Sequence, residues 1–133
     1  MRFEVTRATE LSIRALSALV DRGDWTTRAE LAEIIGTSSP FLAQVMAPLA
    51  HQGWVESKSG VNGGYVLTEE ARGLSVLDVL EAVEGPIESG RCVLAGGPCG
   101  GESICAMHDA WVLTRKSMIE VLAAVPALEA GRD

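Results

Sequence analysis

Cys92, Cys99 and Cys105 fall within 14 positions of one another, and the chain has no other cysteine. Six residues separate the first pair and five the second. An odd number of cysteines makes a poor disulfide framework, and three thiols crowded into one stretch suit a metal or redox site better. Thiolates are the natural ligands of iron–sulfur clusters, and zinc also accepts three cysteines and a histidine. No close Cys-x-x-Cys pair is present, which counts against a zinc knuckle. The surrounding stretch, residues 85–101, holds six glycines and two prolines. No packed element is expected there, and so flexible a loop lets three sulfurs converge. His108 follows Cys105 by three positions, on the same face one turn along if that segment is helical.

The elements that must hold this loop are legible from periodicity and punctuation. Apolar residues recur at helical spacing from Thr9 to Val20, with Thr6 or Thr9 as cap and Gly23 as stop. Thr27-Arg28-Ala29-Glu30 is a capping-box pattern that opens a second helix, with Leu31, Ile34 and Ile35 turned inward and Gly36 at its end. Thr37-Ser38-Ser39-Pro40 follows at once, a hydroxyl-rich cap with proline in the first turn. Phe41, Leu42, Val45, Met46 and Leu49 then form the apolar stripe of a third helix, which His51 ends on its exposed side. Pro48 lacks the N–H that would bond to Gln44, so a kink or a break is expected there. Two helices joined by a tight glycine turn make a helix-turn-helix.

Gly53–Lys58 and Gly64–Thr68 are short, rich in β-branched and aromatic residues, and flank Ser59-Gly60-Val61-Asn62-Gly63. The Asn-Gly pair favours a hairpin, with Trp54 and Tyr65 as its packing residues. A helix-turn-helix followed by a hairpin is a winged helix. A further helix starts at Ser75 and closes at Gly85-Pro86. The last amphipathic helix runs from about His108 to Leu122. Its Trp111, Val112, Met118, Ile119 and Leu122 are more apolar surface than a lone terminal helix comfortably exposes, and a second copy would cover it. Trp25 and Trp111 are assigned to core or dimer packing. The fold class is thus mainly α with a small β-hairpin: a winged helix-turn-helix domain over residues 1–84, a cysteine loop over 85–107, and a dimerisation helix with its tail over 108–133.

The net charge of −7 lends no general support to nucleic-acid binding. Its distribution is uneven: residues 1–72 carry −2, residues 73–133 carry −5, and from Ile34 to Val55 there is no acidic residue. No apolar run approaches the roughly 20 residues of a membrane span, and the N-terminus lacks a secretory pattern, which places the chain in the cytoplasm. Neither a glycine-rich phosphate loop nor a Ser/His/Asp set is present, and an enzyme is disfavoured.

The order of these elements and their motif string resemble the Rrf-type winged-helix transcriptional regulators, the IscR/NsrR-like family that binds iron–sulfur clusters. The likeness rests on Ser39-Pro40-Phe41-Leu42 with Met46 and Leu49, on Gly53-Trp54-Val55-Glu56-Ser57, and on Gly60-Val61-Asn62-Gly63-Gly64-Tyr65-Val66-Leu67. It continues through Leu77-Asp78-Val79 with Glu84-Gly85 and Cys105-Ala106-Met107-His108-Asp109-Ala110-Trp111, covering nearly the whole chain. The resemblance implies a homodimer that sets two third helices in the major groove of a roughly palindromic operator in double-stranded DNA. It implies Ser38, Ser39, Pro40, Phe41, Gln44 and Asn62 as DNA-facing residues, with Arg28 and Lys58 on phosphates. One departure concerns the wing, where family members often carry arginine before the paired glycines and this chain has Ser59-Gly60-Val61-Asn62.

The resemblance also makes an iron–sulfur cluster on Cys92, Cys99 and Cys105 the stronger reading. His108 as fourth ligand goes with 2Fe–2S, and Glu10, supplied by a partner copy, with 4Fe–4S. A switch sensing redox state, nitric oxide or cluster supply follows. Two other functions stay open: a cluster-free thiol switch of the same fold, and a zinc- or iron-binding interaction module without DNA binding.

Overall fold

The computed structural model describes residues 2–100, 102 and 104–132. Helix α1 (Arg7–Arg22) opens on Thr6, whose side chain accepts from the Thr9 N–H, and closes on Gly23 in the left-handed region. Strand β1 (Thr26–Thr27) leads into α2 (Arg28–Ile35), where the capping box forms in both directions: Thr27 receives the Glu30 N–H, and Glu30 receives the Thr27 N–H. Helix α3 (Ser39–His51) is capped by Ser38 and runs on through Pro48 without breaking. Strands β2 (Val55–Lys58) and β3 (Gly64–Leu67) form the hairpin, and β1 adds to its free side in the order β1-β3-β2, all antiparallel. The wing is therefore three-stranded, and Thr27, which caps α2, also lies in the strand that tethers it.

A 3-10 turn (Glu69–Gly73) leads to α4 (Val76–Glu84), whose cap Ser75 forms a second two-way box with Asp78. The core lies where α1, α2, α3 and α4 meet: Leu11, Leu16, Leu31, Leu42, Leu49 and Val79 are fully enclosed. Two expected positions differ. Ile34 is 44% exposed and Ala32 takes the inward place, because an eight-residue helix presents one narrow face to α1 and α3. Trp25 is 41% exposed rather than in the core, and the Lys58 ammonium sits over its ring at 5.7 Å.

Helix α5 (His108–Ala123) buries none of its residues fully. It packs on α4, with Met118, Ile119 and Leu122 half-buried, while Val112, Leu113 and Val121 stand exposed. After it the chain turns back. The short α6 (Ala127–Ala130) docks on α1, with the Gly131 N–H donating to Ser17 Oγ and Arg132 paired to Asp21 at 2.7 Å. The tail thus packs with the winged-helix core rather than trailing from α5. No described helix is long and apolar enough to cross a membrane.

Candidate metal centre and DNA-binding face

Cys92 and Cys99 stand at the neck of a small closed loop. An antiparallel bridge between Arg91 and Pro98 shuts the neck, and the Cys92 N–H donates to the Gly97 carbonyl at 2.6 Å. Gly96, at φ 73°, supplies the left-handed turn that lets the loop close within so few residues. Cys105 comes from the turn that enters α5, and the His108 N–H donates back to its carbonyl at 3.1 Å. The three sulfurs lie within 4.8 Å of one another. His108 Nδ1 is 3.3 Å from Cys99 Sγ, so an imidazole stands in hydrogen-bond contact with one thiol of the group.

The thiols differ in acidity. N–H groups of Ala95 and Leu94 hold the Cys92 thiol down to about 7 from its ordinary 9.0, with the Ala95 N–H 3.5 Å from the sulfur. Burial pushes Cys105 the other way. The donor set fits a soft metal: three thiolates and an imidazole suit zinc, iron or a cluster alike. The cavity they enclose, of about 10 Å³, is lined further by Arg91, Val93, Trp111 and Arg115. A tetrahedral ion with metal–sulfur bonds of about 2.3 Å holds its sulfurs ~3.8 Å apart, inside the observed limit; a multi-iron core asks the glycine-rich loop to widen.

Glu10 sits elsewhere. It projects from α1 between Arg7 at 2.7 Å and Arg14 at 3.7 Å, and it lines no part of the cysteine cavity of its own chain.

On the α3 side, Ser38, Ser39, Pro40 and Gln44 are exposed, whereas Phe41 is half-buried and packs on the core. Ser38 Oγ is engaged as the helix cap, accepting from the Phe41 N–H at 3.3 Å. Arg28, the first residue of α2, lays its guanidinium over the Tyr65 ring at 5.5 Å and close to Gly63, where a Cβ would meet its Nη1 at 2.7 Å. Arg28 therefore joins the helix-turn-helix to the wing. Lys58 ends β2 over Trp25, and Asn62 and the fully exposed Val61 form the wing tip. The Lys58–Trp25 platform was missed from sequence because it exists only once β1 has paired with the hairpin.

A neutral, acid-free helix held out from a helix-turn-helix, flanked by Arg28 and a three-stranded wing, defines a winged-helix DNA-binding protein. The chain belongs to the Rrf2 family, described as iron-dependent transcriptional regulators, whose profile matches residues 5–126. It is 35% identical over 83 residues to the HTH-type transcriptional regulator IscR of Escherichia coli, a stretch that is 62% of this chain and 51% of that protein. The chain thus spans about half the length of the curated relatives it matches. Among solved structures it resembles CymR (YrzC), the global cysteine regulator of B. subtilis, with a TM-score of 0.76 at 22% identity over 98% of this chain and 97% of that one. T. potens IscR follows with a TM-score of 0.73 at 25% identity, over 96% and 85%. The oxidised form of Staphylococcus aureus CymR scores 0.72 at 20% identity, over 98% of each chain.

Proposed function

We propose that this regulator is a homodimer whose affinity for a roughly palindromic operator depends on an iron–sulfur cluster held by Cys92, Cys99, Cys105 and His108. The observation that carries the reading is the meeting of three thiols and an imidazole at the start of α5, the helix with an uncovered apolar face. When bound, the cluster supplies a centre that reacts with oxidants and nitric oxide. The chain's own residues link that site to the rest of the molecule. Arg115 of α5 donates to the Arg91 carbonyl at 2.7 Å, fixing the loop neck to the helix. At the loop's other end, the Ile87 N–H donates to the Glu81 carboxylate, and Glu84 accepts from the Thr6 N–H and the Thr9 hydroxyl at the start of α1. A shift of residues 85–107 is thereby felt by α1 and α5 together, and with them by the spacing of the two α3 helices.

On DNA, Ser39 and Gln44 face base edges, Ser38, Pro40 and Asn62 lie against the backbone, and Arg28 and Lys58 neutralise phosphates. Phe41 positions the helix from behind. His108 is preferred to Glu10 as fourth ligand, because Glu10 is engaged by two arginines of its own helix; it goes with a 2Fe–2S centre.

Anaerobic purification with a visible spectrum, and iron, acid-labile sulfide and zinc assayed per monomer, tests the proposal. A brown protein with matching iron and sulfide supports it, and His108→Ala, but not Glu10→Ala, should bleach it. A colourless protein without iron after reconstitution sinks it.

The second reading, a cluster-free thiol switch, is favoured by a different observation: sulfurs within 4.8 Å, one of them with its pKa lowered to about 7. Its signature is a metal-free protein whose DNA binding reverses with oxidant and reductant. Zinc at one equivalent with no DNA binding would instead mark an interaction module.

A further inference from the structure

Among the described residues a single buried side-chain polar atom has no hydrogen-bond partner: Nε1 of Trp111. An indole nitrogen only donates, and buried donors in folded proteins are matched to acceptors. Trp111 comes three residues after His108 and four before Arg115, and this one face of α5 lines the cysteine cavity. The ring stacks on Phe3, with centroids 6.3 Å apart and planes 24° from parallel. Two guanidiniums share the wall, Arg91 and Arg115, and no described residue of that lining is a carboxylate. The three sulfurs thus share a small cavity with the Trp111 indole and two guanidiniums.

We propose that the Trp111 indole N–H and Arg115 are hydrogen-bond donors to the sulfur atoms of the group bound at Cys92, Cys99 and Cys105, and that they stabilise its more negative oxidation state. The inference rests on the cluster reading given above. Thiolate sulfur and inorganic sulfide are anionic acceptors of low directionality, and a donor beside them eases the addition of an electron. Cluster potentials respond to hydrogen bonds to sulfur and to local charge. The wall therefore sets how readily the site changes oxidation state, a property separate from the ligands that hold it.

The test is a redox titration of the anaerobically reconstituted full chain, followed by its visible spectrum, for the unaltered protein, Trp111→Phe and Arg115→Gln. Trp111→Phe keeps the ring and the Phe3 stack and removes only the donor. At the midpoint of the unaltered protein, the reduced-to-oxidised ratio of each variant is expected to fall about tenfold, ~59 mV for a one-electron couple. In deuterated water, the iron–sulfur stretching bands should shift in the unaltered protein and less so in Trp111→Phe. An unchanged midpoint in loaded Trp111→Phe overturns the inference. So does a weaker dimer at unchanged midpoint, which would place the acceptor on a second copy. Should Trp111→Phe fail to fold, hyperfine coupling from ¹⁵N-tryptophan in the unaltered, reduced protein decides, and absence of such coupling refutes the bond. Failure of the unaltered protein to take up iron and sulfide would be seen first, and would remove the cluster reading itself.

Discussion

Arg28→Ala separates an electrostatic role in DNA binding from a scaffolding one. The residue is single in each chain, so a dimer on a palindromic site loses two guanidiniums. Each neutralised phosphate contributes ~0.9 to the slope of log affinity against log salt, so the slope should flatten by ~1.8. Over a fourfold change in salt, from 50 to 200 mM, the variant then escapes about a 12-fold loss of affinity that the parent suffers. Fluorescence anisotropy on a duplex selected from random sequence would read this directly. Arg28→Lys keeps the charge and should keep the slope. Stacking of Arg28 on Tyr65 adds about 0.5–1 kcal/mol to the wing, so thermal unfolding of the alanine variant should drop by only a few degrees. An unchanged slope, with binding weakened equally at every salt concentration, would refute the phosphate contact and leave Arg28 as a brace between α2 and Gly63.

Three further outcomes follow. In the metal-free, reduced protein the alkylation rate at Cys92 should fall as pH drops through about 7, while that of Cys105 falls at a higher pH, whatever the absolute rate that burial allows Cys92. A folded value below 9.0 means that the Cys92 thiolate adds stability that is complete above pH 9 and fades as pH falls to about 7; mass mapping in which Cys105 keeps its rate to lower pH than Cys92 would contradict it. Thr27→Ala breaks the two-way cap of α2 and should cost about 1 kcal/mol in urea unfolding, with little change in the slope of that transition. Gly64→Ala puts a Cβ onto the Thr26 carbonyl, so β1 must part from β3; a loss of about 1–3 kcal/mol is expected, and a variant as stable as the parent would show that the strand pair contributes nothing.

Punctuation carried most of the legible structure. Thr27 with Glu30, Ser38 with Pro40, Gly23 and Gly36 set helix ends within a residue or two, since caps are local chemistry. Elements that were missed owe their existence to distant partners: β1 is two residues long and has no period to read, and α6 has four residues and exists by docking on α1. Periodicity could not choose between the adjacent Ile34 and Ala32 in so short a helix, nor foresee that Lys58 would cover Trp25. Of the kink or break expected at Pro48, the break did not occur, because α3 is anchored on both sides of it by Val45, Met46 and Leu49. For the candidate site, residue type announced soft-metal chemistry. The Arg91–Pro98 bridge that brings Cys92 beside Cys99, and the orphan N–H of Trp111, left no mark in composition or spacing.

The outward residues of α3, namely Ser39, Pro40, Ala43, Gln44, Ala47 and His51, include no lysine, arginine, aspartate or glutamate, in a chain of net charge −7. Non-specific adhesion is almost wholly phosphate attraction, so on the proposed reading this face would add little to binding of random duplex. A genome offers ~10⁶–10⁹ wrong sites, and a strongly cationic regulator would be sequestered on them as a standing reservoir. On the proposed reading, with Arg28 and Lys58 as its named phosphate contacts, this chain would be held on such sites less than a strongly cationic regulator. Under the proposed switch, promoter occupancy would then follow the fraction of molecules in the binding-competent state, with little chromosomal store to dampen the response.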